Sequence, residues 1–417
     1  MLNLTKKELS WALYDVGNSA FFTTIMAGFF PVFFKEYWHA GSDPTLSSYH
    51  LGLTNSLSAL AVAFLAPFVG AIADIKGRKK PFLVIFSAIG ILSALILPFI
   101  GKGQYEIAMW VFGLGMLGVS TSVSINDSQL SDVTEESRYH KVSSCGYALG
   151  YLGGGILFLV NVLMTLMPEK FGLANASQAV KISFFSVGIW WIIFIIPILR
   201  NVHDHPKNET ISTVNAIKLS FKQLIGTIKK IMSQRNLAIF LLAYWLYIDG
   251  VGTVMKMAVD YGLSIGFEAK DLISALLIVQ FVGFPASLLF GRIGNKWGAK
   301  TGIFIGIAIY GVITLLGLFM TTPIHFYGLA VLIALVQGGV QALSRSLFAE
   351  LTPKENSSEY FGFYNMLGKF AAVMGPFLMG YVAVVTGDTK ISMLSVIVLF
   401  ALGGFFLSFV KTQPEKA

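Results

Sequence analysis

The chain alternates between long apolar blocks and short polar connections. Each block is roughly 20 residues long, which is the length a helix needs to cross about 30 Å of hydrocarbon. Apolar residues run continuously through each block instead of alternating, which favours helices over the strands of a barrel. The pattern predicts an all-α integral membrane protein with transmembrane helices at twelve places: 11–37, 50–73, 81–100, 105–131, 143–167, 179–199, 236–262, 271–291, 300–320, 326–348, 360–385 and 390–410.

Composition supports a membrane protein and excludes several other classes. Hydrophobic residues make up 55% of the chain and charged residues 12%, whereas soluble domains carry about 25% charged residues. Cys145 is the single cysteine, so no intramolecular disulfide forms. Cysteine and histidine do not recur at ligand spacing, and we expect neither a metal site nor a cofactor.

Positive residues are distributed unequally between the connections. The net charge of +8 is spread among the apolar blocks, which does not suit nucleic acid. Connections on one side collect most of the lysines and arginines, as at 76–80, while those on the other side hold single lysines such as Lys102 and Lys170. The positive-inside rule therefore places both termini in the cytoplasm. A bacterial cytoplasmic (inner) membrane is the expected location.

One long connection divides the chain. We expect an N-terminal six-helix bundle at 1–200, a cytoplasmic linker at 201–235 and a C-terminal six-helix bundle at 236–417. Apolar residues recur in the linker at helical spacing, at Ile217, Phe221, Leu224, Ile228 and Ile231, with lysines between them. This pattern predicts an amphipathic helix on the inner membrane surface that tethers the halves. A calmodulin-type partner site is an alternative with similar chemistry.

The two halves repeat each other. The shared positions keep the same order and nearly the same offset: Gly70, Asp74 and Gly77 match Gly291, Asn295 and Gly298; Trp11 and Asp15 match Trp245 and Asp249; Asp127 matches Arg345; Tyr151 matches Lys369. Parallel repeats of six spans are typical of transporters whose halves rock about a site near the membrane midplane. The repeat predicts two pseudo-symmetric bundles.

The segment that begins Gly70-Ala-Ile-Ala-Asp74 and continues through Gly77 and Arg78 resembles the loop signature of the major facilitator superfamily, with a degenerate copy at Gly291, Asn295 and Gly298. Its glycines permit a tight turn and close helix packing. Asp74 either pairs with Arg78 or caps a neighbouring helix N-terminus. The resemblance implies the major facilitator fold, with Asp74 as a latch of the outward-open state. A basic loop needed only for topology is the alternative.

A narrower resemblance runs along nearly the whole chain. It rests on Trp11-Ala-Leu-Tyr14-Asp15, on Gly146-Tyr147-Ala-Leu-Gly150-Tyr151, on Asp249-Gly250-Val, on Gln341-Ala-Leu-Ser-Arg345-Ser and on Phe361-Gly-Phe-Tyr364. Together these segments resemble the UMF1 family, the bacterial relatives of the Atg22-like vacuolar amino-acid effluxers. The resemblance implies a transporter whose substrates are amino acids or similar small metabolites. At 124–129 the chain departs from the family pattern.

Polar residues inside the spans are the candidate site. An ionised side chain at a helix centre costs about 2.5–3.5 kcal/mol on insertion scales, so it needs a partner or a wet cavity. The candidates for substrate binding or coupling are Asp15, Asn18, Asn126, Asp127, Asp249, Arg345 and Lys369, joined by Gln280 and Gln341 as hydrogen-bonding groups and by Tyr147, Tyr151 and Tyr364 as stacking groups.

Two ion pairs are expected among these candidates. Asp249 pairs with Lys369, and Arg345 meets Asp15 or Asp127 across the inner half. A carboxylate that alternates between paired and desolvated settings exchanges protons, which predicts proton coupling with Asp249 as the first candidate. The alternative is a permanent structural salt bridge.

The sequence therefore predicts a monomeric secondary transporter with a small-molecule substrate, protons as the coupling ion and no catalytic residues. A multidrug or lipid exporter of the same fold is the alternative. An ATP-driven pump is disfavoured because the chain has no phosphate-binding Gly-x-x-x-x-Gly-Lys motif. His140 beside Glu135 and Glu136 is a weak candidate for a membrane enzyme, and we interpret it as a solvated loop.

Overall fold

The computed structural model describes residues 3–42, 44–204, 213–264, 268–371, 374–386 and 389–412. This part of the chain is helical apart from short connections. The helices are α1 Lys6–Trp38, α2 Pro44–Lys76, α3 Lys80–Phe99, α4 Tyr105–Ser128, α5 Tyr139–Leu166, α6 Ala176–Asn201, α7 Thr213–Ser233, α8 Arg235–Ser264, α9 Ala269–Gly317, α10 Pro323–Leu351, α11 Ser357–Phe370, α12 Met374–Thr386 and α13 Thr389–Ser408.

The described helices are consistent with the twelve predicted spans. Nine of them are long and apolar enough to cross a membrane. Helix α9 contains two spans, because Gly298 has a φ of +78° and bends the chain between them. Helices α11 and α12 together cover the predicted span 360–385, and α13 covers the last one. The chain is an all-α integral membrane protein.

Both ends of the described chain lie on the same face of the protein. Near the N-terminus, the ammonium of Lys7 donates to the backbone carbonyl of Asp132. Near the C-terminus, the ammonium of Lys300 donates to the carbonyl of Val410 at 2.8 Å. We call this the terminal face. The connections around 77, 134, 298 and 353 lie on it as well.

Small residues bring the helices of each half close together. A Cβ atom at Gly17 in α1 would lie 2.9 Å from the ring of Trp191 in α6. In the second half, a Cβ atom at Gly250 in α8 would lie 2.8 Å from the ring of Phe400 in α13. Lipid supplies no hydrophobic drive between helices, so such close van der Waals packing is what holds a bundle together.

The halves meet through two symmetry-related helix pairs. Helix α2 packs against α11, and α5 packs against the first part of α9. The sequence repeat relates span two to span eight and span five to span eleven, so it exchanges one pair with the other. This is the arrangement expected of two pseudo-symmetric six-helix bundles related by a twofold axis.

Helix α7 lies in the segment that the sequence predicts as a linker. It packs against α2, and Thr227 and Ile231 are buried whereas Ile228 is exposed. The side chains of Ile217 and Phe221 lie outside the described residues. The linker bounds and the membrane-surface role of this helix stay predictions.

Candidate functional site at the interface of the halves

Arg345 lies at the centre of the contact between the halves. It is in α10 of the second half, and only 2% of its surface is exposed. Its Nη1 atom lies 2.8 Å from Oδ1 of Asp127 in α4 and 3.3 Å from Oδ2 of Asp15 in α1. The predicted meeting of Arg345 with the two aspartates is confirmed, and both contribute.

The guanidinium of Arg345 is buried among residues of the first half. Its Cζ atom lies over the rings of Trp11 and Tyr147, 4.7 and 4.4 Å from their centroids. Ser143 accepts from Nε at 2.9 Å through its hydroxyl and from Nη2 at 2.8 Å through its carbonyl. Two aromatic rings and four hydrogen bonds, all from residues of the first half, hold this guanidinium in place. In this conformation Arg345 bridges the halves.

Amide side chains surround the Asp15 carboxylate. Asn18 donates to Oδ1 at 3.3 Å and Asn126 donates to the same oxygen at 3.4 Å. The backbone carbonyl of Asn126 accepts from the indole of Trp11 at 2.7 Å. Helices α1 and α4 are thereby held in register, and the predicted candidates Asn18 and Asn126 belong to one cluster with Asp15.

Asp74 joins α2 of one half to α11 of the other. Its carboxylate accepts the backbone N–H of Ser358 at 3.2 Å and that of Glu359 at 2.8 Å. These are N–H groups of the first turn of α11, which have no partner within the helix and carry the positive end of its dipole. The sequence analysis predicted that Asp74 either pairs with Arg78 or caps a helix N-terminus; the structure shows the helix cap.

Two glycines make this cap possible. A Cβ atom at Gly70 would overlap the carbonyl of Ser358, so α2 and α11 approach closely only because that position lacks a side chain. Gly77 has a φ of +63°, which suits the turn that ends α2. Arg78 follows it and is exposed.

Lys79 adds a second link at the same place. Its ammonium lies 2.7 Å from Oδ2 of Asp132 and donates to the hydroxyl of Ser357 at 2.7 Å. Nearby, the hydroxyls of Ser128 and Ser358 lie 3.0 Å apart. The sequence analysis gave the basic residues at 76–80 a role in membrane topology only. Nothing in their spacing distinguishes Lys79 from its neighbours.

The second copy of the motif keeps the packing but not the cap. A Cβ atom at Gly291 would lie 2.7 Å from Cβ of Ser144 in α5, so the close approach is repeated. Asn295, the counterpart of Asp74, is exposed. The turn at Gly298 has the positive φ of its counterpart Gly77. The cap is therefore asymmetric, with the capping carboxylate in the first half.

His140 belongs to this interface, and its interpretation as a loop residue is wrong. It lies in the first turn of α5, with Nδ1 at 2.9 Å from the hydroxyl of Ser346 and Nε2 at 3.2 Å from Oε1 of Glu350. Both partners are in α10 of the other half. Because His140 lies just before a predicted span, the sequence suggested a solvent-exposed residue. Its partner Glu350 is 210 positions away in the chain, so no local pattern indicated the contact.

Contacts between the halves extend inward from the terminal face. The amide of Gln280 in α9 donates to the hydroxyl of Thr23 in α1 at 2.6 Å. A Cβ atom at Gly283, one turn further along α9, would lie 3.1 Å from the ring of Tyr151 in α5. The predicted candidates Gln280 and Tyr151 thus lie at the interface, nearer the middle of the bundle than Arg345.

The remaining candidates lie within the second half. Asp249 accepts the backbone N–H of Gly375 at 2.8 Å, near the start of α12. The ring of Tyr364 stacks on that of Tyr244 with centroids 4.1 Å apart. Gln341 is half-buried one turn before Arg345. The side chain of Lys369 lies outside the described residues, so its pairing with Asp249 stays a prediction.

Comparisons with known proteins agree with this architecture. The sequence profile of the family described as vacuole effluxer, Atg22-like, matches residues 4–137 and 124–417. The MFS-type transporter YxiO of Bacillus subtilis (strain 168) is 38% identical over 100% of this chain and 97% of its own length. Autophagy-related protein 22 of Yarrowia lipolytica is 23% identical over 71% of this chain and 55% of its own length.

Solved structures share the fold at low sequence identity. The human organic anion transporter MFSD10 matches with a TM-score of 0.72 at 14% identity, covering 96% of this chain and 99% of that one. The transporter FucP in its outward conformation matches with a TM-score of 0.70 at 13% identity, covering 98% and 99%.

Fold and interface together define a transporter of the major facilitator superfamily. Within that class, the chain belongs to the Atg22-like family, because the family profile and a relative of 38% identity both extend over its length. Family and fold are those of transporters rather than enzymes.

Proposed function

We propose that this protein is a secondary transporter that carries an amino acid or a similar small metabolite by alternating access, coupled to protons. The observation that carries the proposal is the bridge from Arg345 to Asp15 and Asp127. It joins the halves through buried charges at one end of the bundle. A gate requires such a contact, strong when closed and replaceable by water when open.

The chemistry of the interface supports a gate over a permanent seal. Replacing buried ion pairs by well-packed apolar residues is often neutral or stabilising by about 1–4 kcal/mol, so an immobile contact gains nothing from charge. At the terminal face the halves instead meet through Arg345, Asp74, Lys79 and His140, each bonded to a polar group of the other half. Water takes over such contacts when the halves separate.

The positive-inside pattern gives the proposed orientation. With the terminal face in the cytoplasm of a bacterial inner membrane, the contacts of Arg345 and Asp74 close the cytoplasmic side. The conformation is then outward-facing, and the cap on α11 is a latch of that state. We propose that a single chain is the transport unit, as each half supplies one wall of the central cleft.

Buried polar groups along the inner helices favour a polar solute. The hydroxyls of Thr24, Ser120 and Ser124 and the indole N–H of Trp245 are buried and have no hydrogen-bond partner among the described residues. These groups lie on α1, α4 and α8, three of the helices that line the cleft in this fold. An amino acid supplies donors and acceptors for such groups, whereas a lipid or apolar drug leaves them unpaired.

Reconstitution tests the function directly. The purified chain is placed in liposomes with a pH-sensitive dye inside, and amino acids, nucleosides, sugars, organic anions and cationic drugs are offered with and without a proton gradient. We expect dye movement together with solute flux for a small amphoteric solute only. The word effluxer in the family description makes outward movement the first direction to test.

Other results decide against the proposal. Flux of cationic drugs or of labelled lipid without amino-acid flux supports the exporter alternative. Solute flux that is insensitive to the proton gradient supports a facilitator. Liposomes that carry Arg345→Ala are the negative control, because that change removes the bridge while leaving the exposed surface unchanged.

A further inference from the structure

We propose that Asp15 and Asp127 form a proton-binding site that holds one proton while the terminal face is closed and releases it when that face opens. The proposal rests on the alternating access proposed above, and it assigns the coupling proton to this pair instead of Asp249. The cluster contains the carboxylates, the guanidinium of Arg345 and the amide of Asn126.

The charges of the cluster do not balance when both carboxylates are ionised. A single nitrogen, Nη1 of Arg345, serves Asp127 at 2.8 Å and Asp15 at 3.3 Å. All three side chains are buried, with residue exposures of 2%, 3% and 7% for Arg345, Asp127 and Asp15. One positive and two negative charges leave a net negative charge away from water, which is costly. A single bound proton restores neutrality.

The other described groups around the pair do not supply a second positive charge. The titratable ones are the phenols of Tyr14, Tyr147 and Tyr244, which are uncharged near neutral pH. The remaining neighbours are neutral donors and acceptors: Asn18, Asn126, Asn365, Ser143 and the indole of Trp11. Lys369, whose side chain lies outside the described residues, is four positions beyond Asn365 on α11.

The geometry assigns the proton to Asp15. Asp127 has the shorter contact with Arg345 and is the better placed to stay ionised. In this structure Nδ2 of Asn126 donates to Oδ1 of Asp15 at 3.4 Å. The Oδ1 atom of Asn126 is buried and has no hydrogen-bond partner among the described residues. Rotation of this amide by half a turn exchanges the two atoms, and Oδ1 then accepts a hydrogen bond from the protonated carboxyl of Asp15. One amide thus serves both protonation states.

The cycle moves one proton with no other change of bonding. When the terminal face opens, water reaches both carboxylates, the O–H bond of Asp15 breaks and the proton passes to water on that side. When the face closes again, Asp15 takes a proton from water on the opposite side, and Arg345 bridges the pair. With the orientation proposed above, protons move inward, down the usual gradient of a bacterial membrane.

Spin labels measure the gate without any knowledge of the substrate. Ser137 and Lys354 are exposed residues of the terminal face, one in each half. Both are changed to Cys in a Cys145→Ser background, labelled, and placed as full chain in lipid nanodiscs. Pulsed electron spin resonance between pH 5 and pH 9 gives the short-distance, closed fraction. We expect it to fall as pH rises, with the ratio of closed to open changing up to about tenfold per pH unit.

Variants separate a proton site from a structural ion pair. Asp15→Asn imitates the protonated side chain, so we expect a closed fraction that is high at every pH. Asp127→Asn should behave in the same way, because Arg345 then has the ionised carboxylate of Asp15 as its one partner and the charges balance. If the pair were only structural, removal of either charge would open the face. Asp249→Asn should keep the pH dependence of the parent chain.

The outcomes are distinct. A closed fraction that is independent of pH in the parent chain, or Asp15→Asn protein that opens and still responds to pH, overturns the proton site. Loss of the pH response in Asp249→Asn with its retention in Asp15→Asn returns the coupling role to Asp249. Distances that stay fixed under every condition, including the solutes of the transport assay, overturn the alternating access itself.

Discussion

The carboxylate of Asp74 accepts the backbone N–H of Glu359 at 2.8 Å, although the two residues belong to different halves of the protein. The contact places a negative charge at the positive end of α11 and ties it to the end of α2. In the transport cycle proposed above, this contact exists only while the terminal face is closed.

Removal of the cap should open the terminal face. Asp74→Ala leaves two N–H groups of α11 without their acceptor, which costs about 0.5–2 kcal/mol for a helix cap. We expect the closed fraction, measured by the spin-label distance between positions 137 and 354, to fall accordingly. Asn295→Ala is the matched control, because Asn295 is the exposed counterpart of Asp74 in the second half. Equal effects of the two changes would contradict the role of the cap.

A single methyl group at Gly70 should also disfavour the closed state of the terminal face. Its Cβ atom would overlap the carbonyl of Ser358, so Gly70→Ala pushes α2 and α11 apart in the closed state only. Gly52→Ala in the same helix meets nothing within 4 Å and is the control. We expect slower transport for Gly70→Ala and normal transport for Gly52→Ala. Normal rates in both would show that the close approach of these helices is not needed.

The shape of the arginine should matter as well as its charge. Arg345→Lys keeps the charge but loses the planar group that contacts the rings of Trp11 and Tyr147, and it loses the bonds to Ser143. Polar groups left unpaired in a buried site cost about 1–3 kcal/mol. We expect a transport rate lowered about tenfold or more, measured as initial uptake into liposomes. The control is Arg292→Lys, at an exposed arginine of α9, which should leave the rate unchanged.

The opposite end of the first half should be sensitive to acid. Burial and the neighbouring His50 lower the pKa of His39, which lies just beyond α1. The unfolded chain therefore binds a proton more readily than the folded one, and stability should fall as pH drops through the ordinary histidine range near 6.5.

Thermal unfolding in detergent at pH 8 and pH 5 measures this effect. We expect a lower midpoint at pH 5, and a smaller difference between the two pH values in His39→Gln protein. His325→Gln, at an exposed histidine, is the control and should keep the full difference. An unchanged difference in His39→Gln would show that another group is responsible.

Much of the fold follows from the chain alone, for a physical reason. Hydrocarbon forces each apolar block into a helix, so the number and type of elements are determined by composition and length. The boundary between spans eight and nine was less predictable, because α9 continues through Arg292, Asn295 and Lys296 and bends only at Gly298. A helix can extend beyond the membrane wherever neighbouring helices or water satisfy its side chains.

The site was predictable in part. Arg345, Asp15 and Asp127 are conspicuous because charges inside spans are rare and need partners. Ser143 and Lys79 were missed as members of the interface, since a serine is ordinary inside a helix and a lysine is ordinary in an inner connection. Their importance comes from residues more than 200 positions away in the chain. Such pairings arise from the packing of the halves, which local patterns do not encode.

A reversible cross-link across the terminal face tests the central claim most directly. The hydroxyls of Ser128 and Ser358 lie 3.0 Å apart on opposite halves, so Ser128→Cys with Ser358→Cys, in a Cys145→Ser background, is suited to a disulfide in the closed state. Solute flux is measured in liposomes after oxidation and again after reduction. We predict that oxidation stops flux and that reduction restores it; undiminished flux through the fully cross-linked protein would contradict the proposal that this face opens and closes during transport.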